Sequence, residues 1–182
     1  MGFTTDWFSH NIPVWDSVIP KTPGQNIIEI GSFEGKSCIW FCENLPNSTV
    51  TCVDTFEGSD EQYDGLREGL YERFQENTLE FRDQLTVIKG YSDKVLRSIE
   101  PIETYDVAYI DGSHHTCDVL ADAILTFPLV KSGGLIIFDD YNWPIHEGTL
   151  ANPKMGINAF VACYADKLDV VSIAYQLIVR KR

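Results

Sequence analysis

The stretch NIIEIGSFEGKS, residues 26–37, decides the fold of this chain. Its first half, Asn26–Ile30, is an apolar and β-branched run of the kind found in buried strands. Gly31 and Gly35 follow, and the segment Lys36–Asn44 then spaces its apolar residues as one face of a helix does. The stretch predicts a strand, a glycine-rich turn and a helix in succession, which is the unit of a sheet of parallel strands.

The glycine turn differs from the two common phosphate-binding motifs. A P-loop has four residues between its glycines, whereas three residues separate Gly31 from Gly35, and Ile30 stands where the first glycine of that motif belongs. The dinucleotide pattern G-x-G-x-x-G is also missing, because Phe33 holds the place of its second glycine. We therefore expect a ligand without a pyrophosphate, and the carboxylate of Glu29 is left to pair with a positive amino group.

The rest of the chain alternates strand-like and helix-like segments. Further strands are predicted at 49–54, 85–90, 105–111 and 133–140, and two more in the closing runs 168–174 and 175–181. Helices are predicted at 36–44, within 60–82 as one long helix or a helix pair, and at 93–98, 116–127 and 156–164. This alternation is typical of the α/β class, with a mostly parallel, doubly wound sheet covered by helices on both faces.

Composition restricts the partners of the chain. Its formal net charge of −13 argues against a nucleic acid or an anionic membrane, since both are bound by surplus Lys and Arg. The five cysteines include no C-x-x-C pair and no zinc-type spacing with histidine, so reduced thiols are expected. Without an apolar run of transmembrane length or the features of a signal peptide, a cytoplasmic protein that binds a small molecule is expected. Nothing marks a surface for self-association, which leaves a homo-oligomer open.

Polar residues follow the predicted strands at the edge of the sheet where ligands bind in open α/β folds. Asp54 ends the second strand, where a carboxylate can accept both hydrogens of a ribose diol. Asp111 ends a later strand, and Asp139 and Asp140 end its neighbour. Three converging carboxylates repel one another unless protons or a cation neutralise them, and hard ions such as Mg²⁺ or Ca²⁺ prefer these oxygen ligands. The alternative is that Asp139 or Asp140 caps a turn and stays solvated.

Two histidines, His114 and His115, come three and four residues after Asp111. Histidine titrates near neutral pH, so either one can serve as a general base toward a hydroxyl. Either one can instead cap the helix predicted to begin near Thr116, and we prefer that interpretation for His115. For His114 both interpretations stay open.

Five motifs, in order along the chain, resemble the class I S-adenosylmethionine-dependent methyltransferases, and specifically methyltransferase family 24. They are WFSHNIPVW, EIGSFEGKS, CVDTFEG, YIDGSHH and GGLIIFDDY, and the resemblance runs from Trp7 to Val179. It implies one domain over residues 1–182, with residues 1–24 as an N-terminal covering segment and residues 25–182 as a Rossmann-like core. It also implies a seven-stranded sheet whose last strand is antiparallel.

The resemblance further implies a set of site residues. Contacts with S-adenosyl-L-methionine fall on Glu29, Gly31, Ser32, Phe33, Gly35, Asp54, Thr55, Ser92 and Asp111. Sugar and macrolide O-methyltransferases that this chain resembles bind Mg²⁺ through aspartates, which places a metal at Asp111, Asp139 and Asp140. The D-G-x-H histidine, a base in the family, corresponds to His114, with Asp111 as its catalytic companion. Ser113 stands where many relatives carry Asp, which changes the local charge.

From these observations we expect a small-molecule O-methyltransferase assisted by a divalent metal. The alternatives are a non-enzymatic cofactor-binding or scaffold domain and a metal-independent N-methyltransferase, while the missing G-x-G-x-x-G disfavours a nicotinamide-dependent oxidoreductase. Sugar, polyketide and phenolic acceptors remain open. Loop aromatic residues are expected to border the pocket or to close an edge of the core: Phe56, Tyr63, Tyr141 and Trp143. Trp7, Phe8 and Trp15 are expected to pack over the sheet.

Overall fold

The computed structural model describes residues 2–58, 64–143 and 151–182. Within these residues, seven strands form one sheet in the order β3-β2-β1-β4-β5-β7-β6. The strands are β1 (Asn26–Ile30), β2 (Thr49–Asp54), β3 (Leu85–Lys89), β4 (Tyr105–Ile110), β5 (Val130–Phe138), β6 (Leu168–Ile173) and β7 (Leu177–Lys181). The helices are α1 (Ile12–Val18), α2 (Lys36–Asn44), α3 (Asp64–Arg67), α4 (Leu70–Thr78), α5 (Ser92–Ser98), α6 (Thr116–Thr126) and α7 (Pro153–Cys163).

The pairing of the strands places the functional edge of the sheet. Strand β1 is parallel to both β2 and β4, while β7 is antiparallel to β5 and to β6. The chain first extends the sheet from β1 toward β3 and then returns to build β4 and β5 on the other side of β1. Ligands bind beyond the carboxyl ends of the strands at such a reversal. The predicted fold class, a mostly parallel doubly wound sheet with an antiparallel last strand, is confirmed.

Side chains of successive strand residues point to opposite faces of the sheet, and each face has its own core. Ile27, Val107 and Ile137 pack with Trp15 of α1 and Phe41 of α2. The neighbouring residues on the same strands face the opposite side of the sheet, where helices α6 and α7 pack. This second core includes Ile28, Ala108 and Ile136 of the strands, Val119 and Ala123 of α6, and Ile157 and Phe160 of α7. The alternation therefore decides which strand residues face the N-terminal helix.

The N-terminal segment covers the first of these faces. Trp15 has no exposed surface, and its ring lies 4.7–5.0 Å from the rings of Phe8, Trp40, Phe41 and Tyr109. Phe8 is also buried, whereas Trp7 is 53% exposed and stacks on Phe33 of the glycine turn at 5.0 Å. The expected packing over the sheet is found for Phe8 and Trp15, while Trp7 lies over the turn.

The predicted limits of strand β5 and helix α7 differ most from the structure. Strand β5 begins at Val130, which pairs with Tyr105, and a register shift before the Val107–Leu135 pair accommodates Gly133 and Gly134 inside the strand. The Gly-Gly pair therefore opens no strand, and β5 ends at Phe138 rather than at Asp140.

Helix α7 begins at Pro153 rather than Gly156. The side chain of Asn152 accepts a hydrogen bond from the Met155 N–H at 3.0 Å, and proline suits the first helical turn.

The segment predicted as one helix or a helix pair within 60–82 contains α3 and α4. Gly69 separates the two helices with a φ of +66°, a conformation that suits glycine. A 3-10 helix, Leu79–Gln84, follows α4. Residues 60–63 of the prediction lie outside the described residues.

Candidate active site

The glycine turn brings the ends of β1 and β4 into backbone contact. The N–H of Asp111 donates to the Ile30 carbonyl at 2.8 Å. Gly31 has a φ of +86°, and a Cβ at this position would lie 1.9 Å from the carbonyl oxygen of Asp111. Only glycine fits at Gly31, so the turn and the Asp111 segment are held as one unit.

The carboxylate of Asp54 lies in a nest of backbone N–H groups. Its Oδ2 accepts from the N–H of Ser32 at 2.7 Å and of Phe33 at 2.8 Å, and its Oδ1 accepts from the N–H of Phe56 at 2.7 Å. Phe33 and Phe56 have positive φ values of 47° and 54°. Such nests commonly bind phosphate. Because the protein's own anion fills this one, a pyrophosphate would meet a carboxylate, which agrees with the missing phosphate-binding motifs.

This geometry limits what Asp54 can offer to a ribose. A carboxylate has about four lone-pair positions, and the three N–H groups use most of them. Burial raises the pKa of the Asp54 carboxyl, while the backbone N–H groups of Phe56, Phe33 and Ser32 act in the opposite direction. Asp54 thus organises the turn through most of its acceptor positions, and its contact with the ribose diol stays a prediction.

Glu29 is the second carboxylate beside the turn, and it has no exposed surface. Its Oε2 accepts from the thiol of Cys38 at 2.5 Å, and Cys38 Sγ lies 3.3 Å from Cys52 Sγ. Among the described residues, Glu29 Oε1 and the hydroxyl of Ser32 make no hydrogen bond of good geometry. Burial raises the pKa of the Glu29 carboxyl above its ordinary value, while the nearby Cys38 thiol and the Ser32 and Ser37 hydroxyls act in the opposite direction. Two buried polar atoms without a hydrogen bond of good geometry suit a ligand with hydrogen-bond donors, such as the amino group of S-adenosylmethionine.

The other predicted cofactor residues lie around the same edge. Gly35 precedes α2 with a φ of +86°. Thr55 follows β2, where its hydroxyl accepts from the Glu57 N–H at 3.2 Å. Ser92 opens α5 just beyond β3, and burial raises the pKa of Asp122 on α6 to about 7 against the lowering effect of the Ser92 hydroxyl. The structure therefore places all nine predicted cofactor residues at the carboxyl edge of strands β1 to β4.

The acidic group at the ends of β4 and β5 differs in part from the predicted one. One ligand atom from each of Asp111, His114 and Asp140 lies within 4.8 Å of the others. His114 Nε2 is 2.8 Å from Asp140 Oδ2, and the hydroxyl of Tyr175 donates to Asp140 Oδ1 at 2.5 Å. The three residues line a cavity of about 10 Å³, which has room for a single ion or water. These oxygen and nitrogen donors suit a divalent cation.

Asp139, the third predicted metal ligand, connects this group to a layer of side chains behind it, and its role as a ligand stays a prediction. It is 7% exposed, and its Oδ1 accepts from the N–H of Asp140 at 2.8 Å. Its Oδ2 accepts from the hydroxyl of Tyr109 and from Gln176 Nε2, the latter at 3.1 Å. Asp139 also lines the cavity, but these hydrogen bonds hold both of its carboxylate oxygens. Asp139 caps the turn, in agreement with the alternative that the sequence left open, but its side chain is buried and not solvated.

The acidic group carries strong mutual repulsion, as the sequence predicts. Burial, followed by the charges of Asp139 and Asp140, raises the pKa of the Asp111 carboxyl well above its ordinary value. Burial and the charge of Asp140 raise the pKa of Asp139 to about 6. The Tyr109 hydroxyl lies between the two carboxylates, 2.9 Å from Asp111 Oδ2, and has one proton to donate. A cation in the cavity would relieve this repulsion.

The remaining predicted residues have separate outcomes. His115 occupies the N-cap position of α6 through its backbone, since its carbonyl accepts from the N–H groups of Asp118 and Val119, but its side chain does not cap. Trp143 lies beside His114, with 4.8 Å between ring centroids, and therefore borders the acidic group.

The other loop aromatic residues lie away from the acidic group or outside the described part of the chain. Phe56 is buried between Tyr71 and Phe74 and closes the core. The hydroxyl of Tyr141 donates to Asn158 Oδ1 at 3.1 Å. Tyr63 lies outside the described residues.

Sequence reasoning missed four residues that contact the acidic group or the layer behind it: Trp15, Tyr109, Tyr175 and Gln176. The strand period gave a signal for Tyr109, which lies two residues before Asp111 and hence on the same face of the sheet. Gln176 precedes Leu177, the partner of Phe138 across the β5–β7 pair, so that pairing is needed to place it beside Asp139.

The fold and the glycine turn are those of the class I methyltransferase fold. Residues 28–141 match the methyltransferase-domain family that the motifs resemble. This match covers more than half of the chain, and the chain belongs to that family. None of the described helices is long and apolar enough to cross a membrane.

Solved methyltransferase structures share this fold at low sequence identity. A putative O-methyltransferase from Klebsiella pneumoniae superposes with a TM-score of 0.69 at 15% identity, over 98% of this chain and 83% of its own. An O-methyltransferase from Bacillus cereus in complex with SAH gives 0.59 at 21% identity, over 86% and 74%. The MycE methyltransferase of mycinamycin biosynthesis, in complex with Mg, SAH and mycinamycin VI, gives 0.60 at 16% identity, over 97% and 50%.

An uncharacterized protein of Acanthamoeba polyphaga mimivirus is a relative by sequence. It is 28% identical over 120 residues, which cover 63% of this chain and 50% of that protein. The chain thus matches about half the length of this relative.

Proposed function

We propose that this chain transfers the methyl group of S-adenosylmethionine to a hydroxyl group of a small molecule, with a divalent cation such as Mg²⁺ at the acidic group. The observation that carries the proposal is the grouping of Asp111, His114 and Asp140 at the sheet edge. Gly31 contacts the backbone of Asp111, so this group lies directly beside the cofactor turn. The MycE complex, with Mg and SAH bound, supports the pairing of cation and cofactor in a related fold.

The cofactor half of the site would be built on the glycine turn. Glu29 Oε1 and the Ser32 hydroxyl are the buried groups without a hydrogen bond of good geometry that its amino acid end would satisfy. Asp54 would accept a ribose hydroxyl, and Thr55 and Ser92 would border the nucleoside. When bound, S-adenosylmethionine supplies a methyl group on a positively charged sulfur.

In the cation half, the carboxylates of Asp111 and Asp140 would be the ligands, since both line the cavity. A divalent cation held there supplies positive charge that acidifies an acceptor hydroxyl bound next to it. Asp139, held by Tyr109 and Gln176, would contribute charge from behind.

His114 would act as the base. Its Nε2 lies 2.8 Å from Asp140, so a proton taken from the acceptor hydroxyl would give an imidazolium stabilised by that carboxylate. The acceptor oxygen then forms a bond to the methyl carbon as the carbon–sulfur bond breaks. The positive charge passes from sulfur to the imidazole, and the products are a methyl ether and S-adenosylhomocysteine. Alignment of oxygen, carbon and sulfur supplies most of the rate.

A transfer assay tests the proposal. The chain is incubated with methyl-labelled S-adenosylmethionine and a panel of sugars, polyketides, phenols and amines, with Mg²⁺ or with a chelator. We expect label in an ether product only with Mg²⁺, and loss of transfer in Asp140→Asn. Transfer to these hydroxyl acceptors that survives both the chelator and Asp140→Asn would contradict the role of the cation, whereas transfer only to an amine acceptor, with or without Mg²⁺, would support metal-independent N-methylation. Cofactor binding without transfer to any acceptor would support a non-enzymatic domain.

The role of His114 needs its own variant, because the imidazole can be either base or ligand. As a base, His114→Asn loses transfer while Mn²⁺ affinity stays within about twofold of the unchanged chain. Loss of Mn²⁺ affinity in this variant would make His114 a third ligand and would contradict its role as base.

A further inference from the structure

A second layer of side chains lies behind the acidic group, on the face covered by α1. Tyr109 lies on β4 and Asp111 follows that strand two residues later, and Asp139 follows β5 with the same alternation as Ile137. Gln176 precedes β7, whose Leu177 pairs with Phe138, so it lies opposite Asp139. Trp15 of α1 packs on this same face.

Hydrogen bonds connect the layer from the N-terminal helix to the proposed cation ligands. Trp15 Nε1 donates to Gln176 Oε1 at 2.7 Å, and Gln176 Nε2 donates to Asp139 Oδ2 at 3.1 Å. The Tyr109 hydroxyl contacts the same Asp139 oxygen and lies 2.9 Å from Asp111 Oδ2. Trp15 also packs edge-on against the Tyr109 ring, with 4.9 Å between centroids.

The chemistry of the two ends fixes the orientation of the Gln176 amide. An indole N–H can only donate, and an ionised carboxylate can only accept. The carbonyl of Gln176 must therefore face Trp15, which leaves its NH₂ for Asp139. With the amide reversed, a donor would meet a donor and an acceptor would meet a carboxylate. All three side chains are nearly buried, with 0% exposure for Trp15, 2% for Gln176 and 7% for Asp139, so water cannot readily substitute.

We propose that Gln176, oriented by Trp15, is a positioning residue that sets the spacing of the cation-binding carboxylates. It holds Asp139, and Asp139 with Tyr109 holds Asp111 at its distance from Asp140. The N-terminal helix is thus part of the cation site and does more than cover the sheet. This inference rests on the proposed cation at Asp111 and Asp140.

The test measures Mn²⁺ binding alone, by electron paramagnetic resonance, on the full chain without cofactor or acceptor. Gln176→Met keeps the approximate volume but removes both hydrogen bonds. Loss of a group that supports a metal ligand weakens metal affinity by about 10- to 100-fold, and we expect the lower end because Tyr109 remains. Trp15→Phe leaves the carboxylates and Gln176 in place, but it frees the Gln176 amide to reverse. We therefore expect a smaller loss of Mn²⁺ affinity, about threefold.

Gln25→Met is the matched control. Gln25 is 5% exposed, and its Nε2 donates to the carbonyls of Thr22, at 3.1 Å, and Pro20. It is thus a buried glutamine at the opposite edge of the sheet. Thermal unfolding should show that Gln25→Met and Gln176→Met are both less stable, whereas only Gln176→Met should lose Mn²⁺ affinity.

The outcomes separate this inference from the function on which it rests. Mn²⁺ affinity within twofold of the unchanged chain in both Gln176→Met and Trp15→Phe overturns the positioning role alone. An equal loss of affinity in Gln25→Met would show a general effect of stability and would also overturn it. No Mn²⁺ binding by the unchanged chain removes the cation proposal and this inference together.

Discussion

Asp54 and Asp140 follow strands at the same edge of the sheet, but their carboxylates have different kinds of partners. Asp54 is bound by backbone N–H groups of the turn, whereas Asp140 is bound by the side chains of His114 and Tyr175. Backbone donors are fixed by the fold, while side-chain donors can rotate or exchange a proton. Under the proposed function, the cofactor half of the site is therefore built into the main chain, whereas the acidic half would be able to rearrange around an ion and a reacting hydroxyl.

This difference predicts where substitutions act. Changes in the cofactor half should destabilise the protein, because the turn and the sheet share their hydrogen bonds. Changes in the acidic half should impair cation binding and methyl transfer in a protein that stays folded.

The largest effect is expected at Gly31. Gly31→Ala adds a Cβ 1.9 Å from the Asp111 carbonyl oxygen at a φ of +86°, and we expect a loss of about 4 kcal/mol or more in the free energy of unfolding. Gly133→Ala is the control, since Gly133 has a φ of +83° with no heavy atom within 4 Å of the added Cβ. It should lose only about 1 kcal/mol for the backbone conformation. Urea unfolding measures both, and equal losses would contradict the close contact between β1 and β4.

The next effect separates the two carboxylates directly. Asp54→Asn replaces one acceptor oxygen by a donor inside a nest of N–H groups, and we expect a loss of about 3 kcal/mol in unfolding free energy. Asp140→Asn should change stability by less than about 1 kcal/mol, yet it should abolish Mn²⁺ binding. Urea unfolding and Mn²⁺ titration of both variants check this. Similar stability losses would show that the two halves are not built differently.

Asp122 provides a third kind of buried carboxyl and the smallest expected effect. It is 2% exposed, and burial raises its pKa to about 7 against the lowering effect of the Ser92 hydroxyl. Because its pKa is higher in the folded than in the unfolded chain, its stabilising contribution is complete below the unfolded pKa and is lost as the pH rises toward 7. We expect the unfolding free energy to fall by about 2 kcal/mol between pH 5 and pH 8 through this group.

Asp122→Asn should remove that part of the pH dependence. Asp83→Asn, at an exposed position that is not among the groups acting on Asp122, is the control and should leave the pH dependence as it is. Urea unfolding of each variant at several pH values measures this. If the unfolding free energy of Asp122→Asn falls with pH as steeply as that of the unchanged chain, the pH dependence does not come from Asp122.

The sequence predicts the strands nearest the site accurately, because their signals are local. The apolar runs of β1 and β2 and the helix α2 are bounded by glycine or polar residues, and all three have the predicted limits. The start of β5 was not predictable in this way, because its first pairing with Tyr105 depends on a register shift in the tertiary structure.

The site shows the same limit. The motifs predict that the cofactor residues lie at the carboxyl edge of the sheet, where the structure has them, but they do not decide which partners hold the adjacent carboxylates of Asp139 and Asp140. That depends on where β5 ends, since one residue of shift exchanges the two faces. Trp15 and Gln176 are 161 residues apart, so no local pattern could indicate their hydrogen bond.

The most direct test of the account is a calorimetric titration with S-adenosylhomocysteine and, separately, with Mg²⁺, on the unchanged chain and on Asp140→Asn. The account predicts that the unchanged chain binds both, and that Asp140→Asn loses Mg²⁺ while its affinity for S-adenosylhomocysteine is retained. Binding of S-adenosylhomocysteine without any Mg²⁺ binding to the unchanged chain would contradict the metal-assisted reaction. Binding of neither would contradict the proposed activity as a whole.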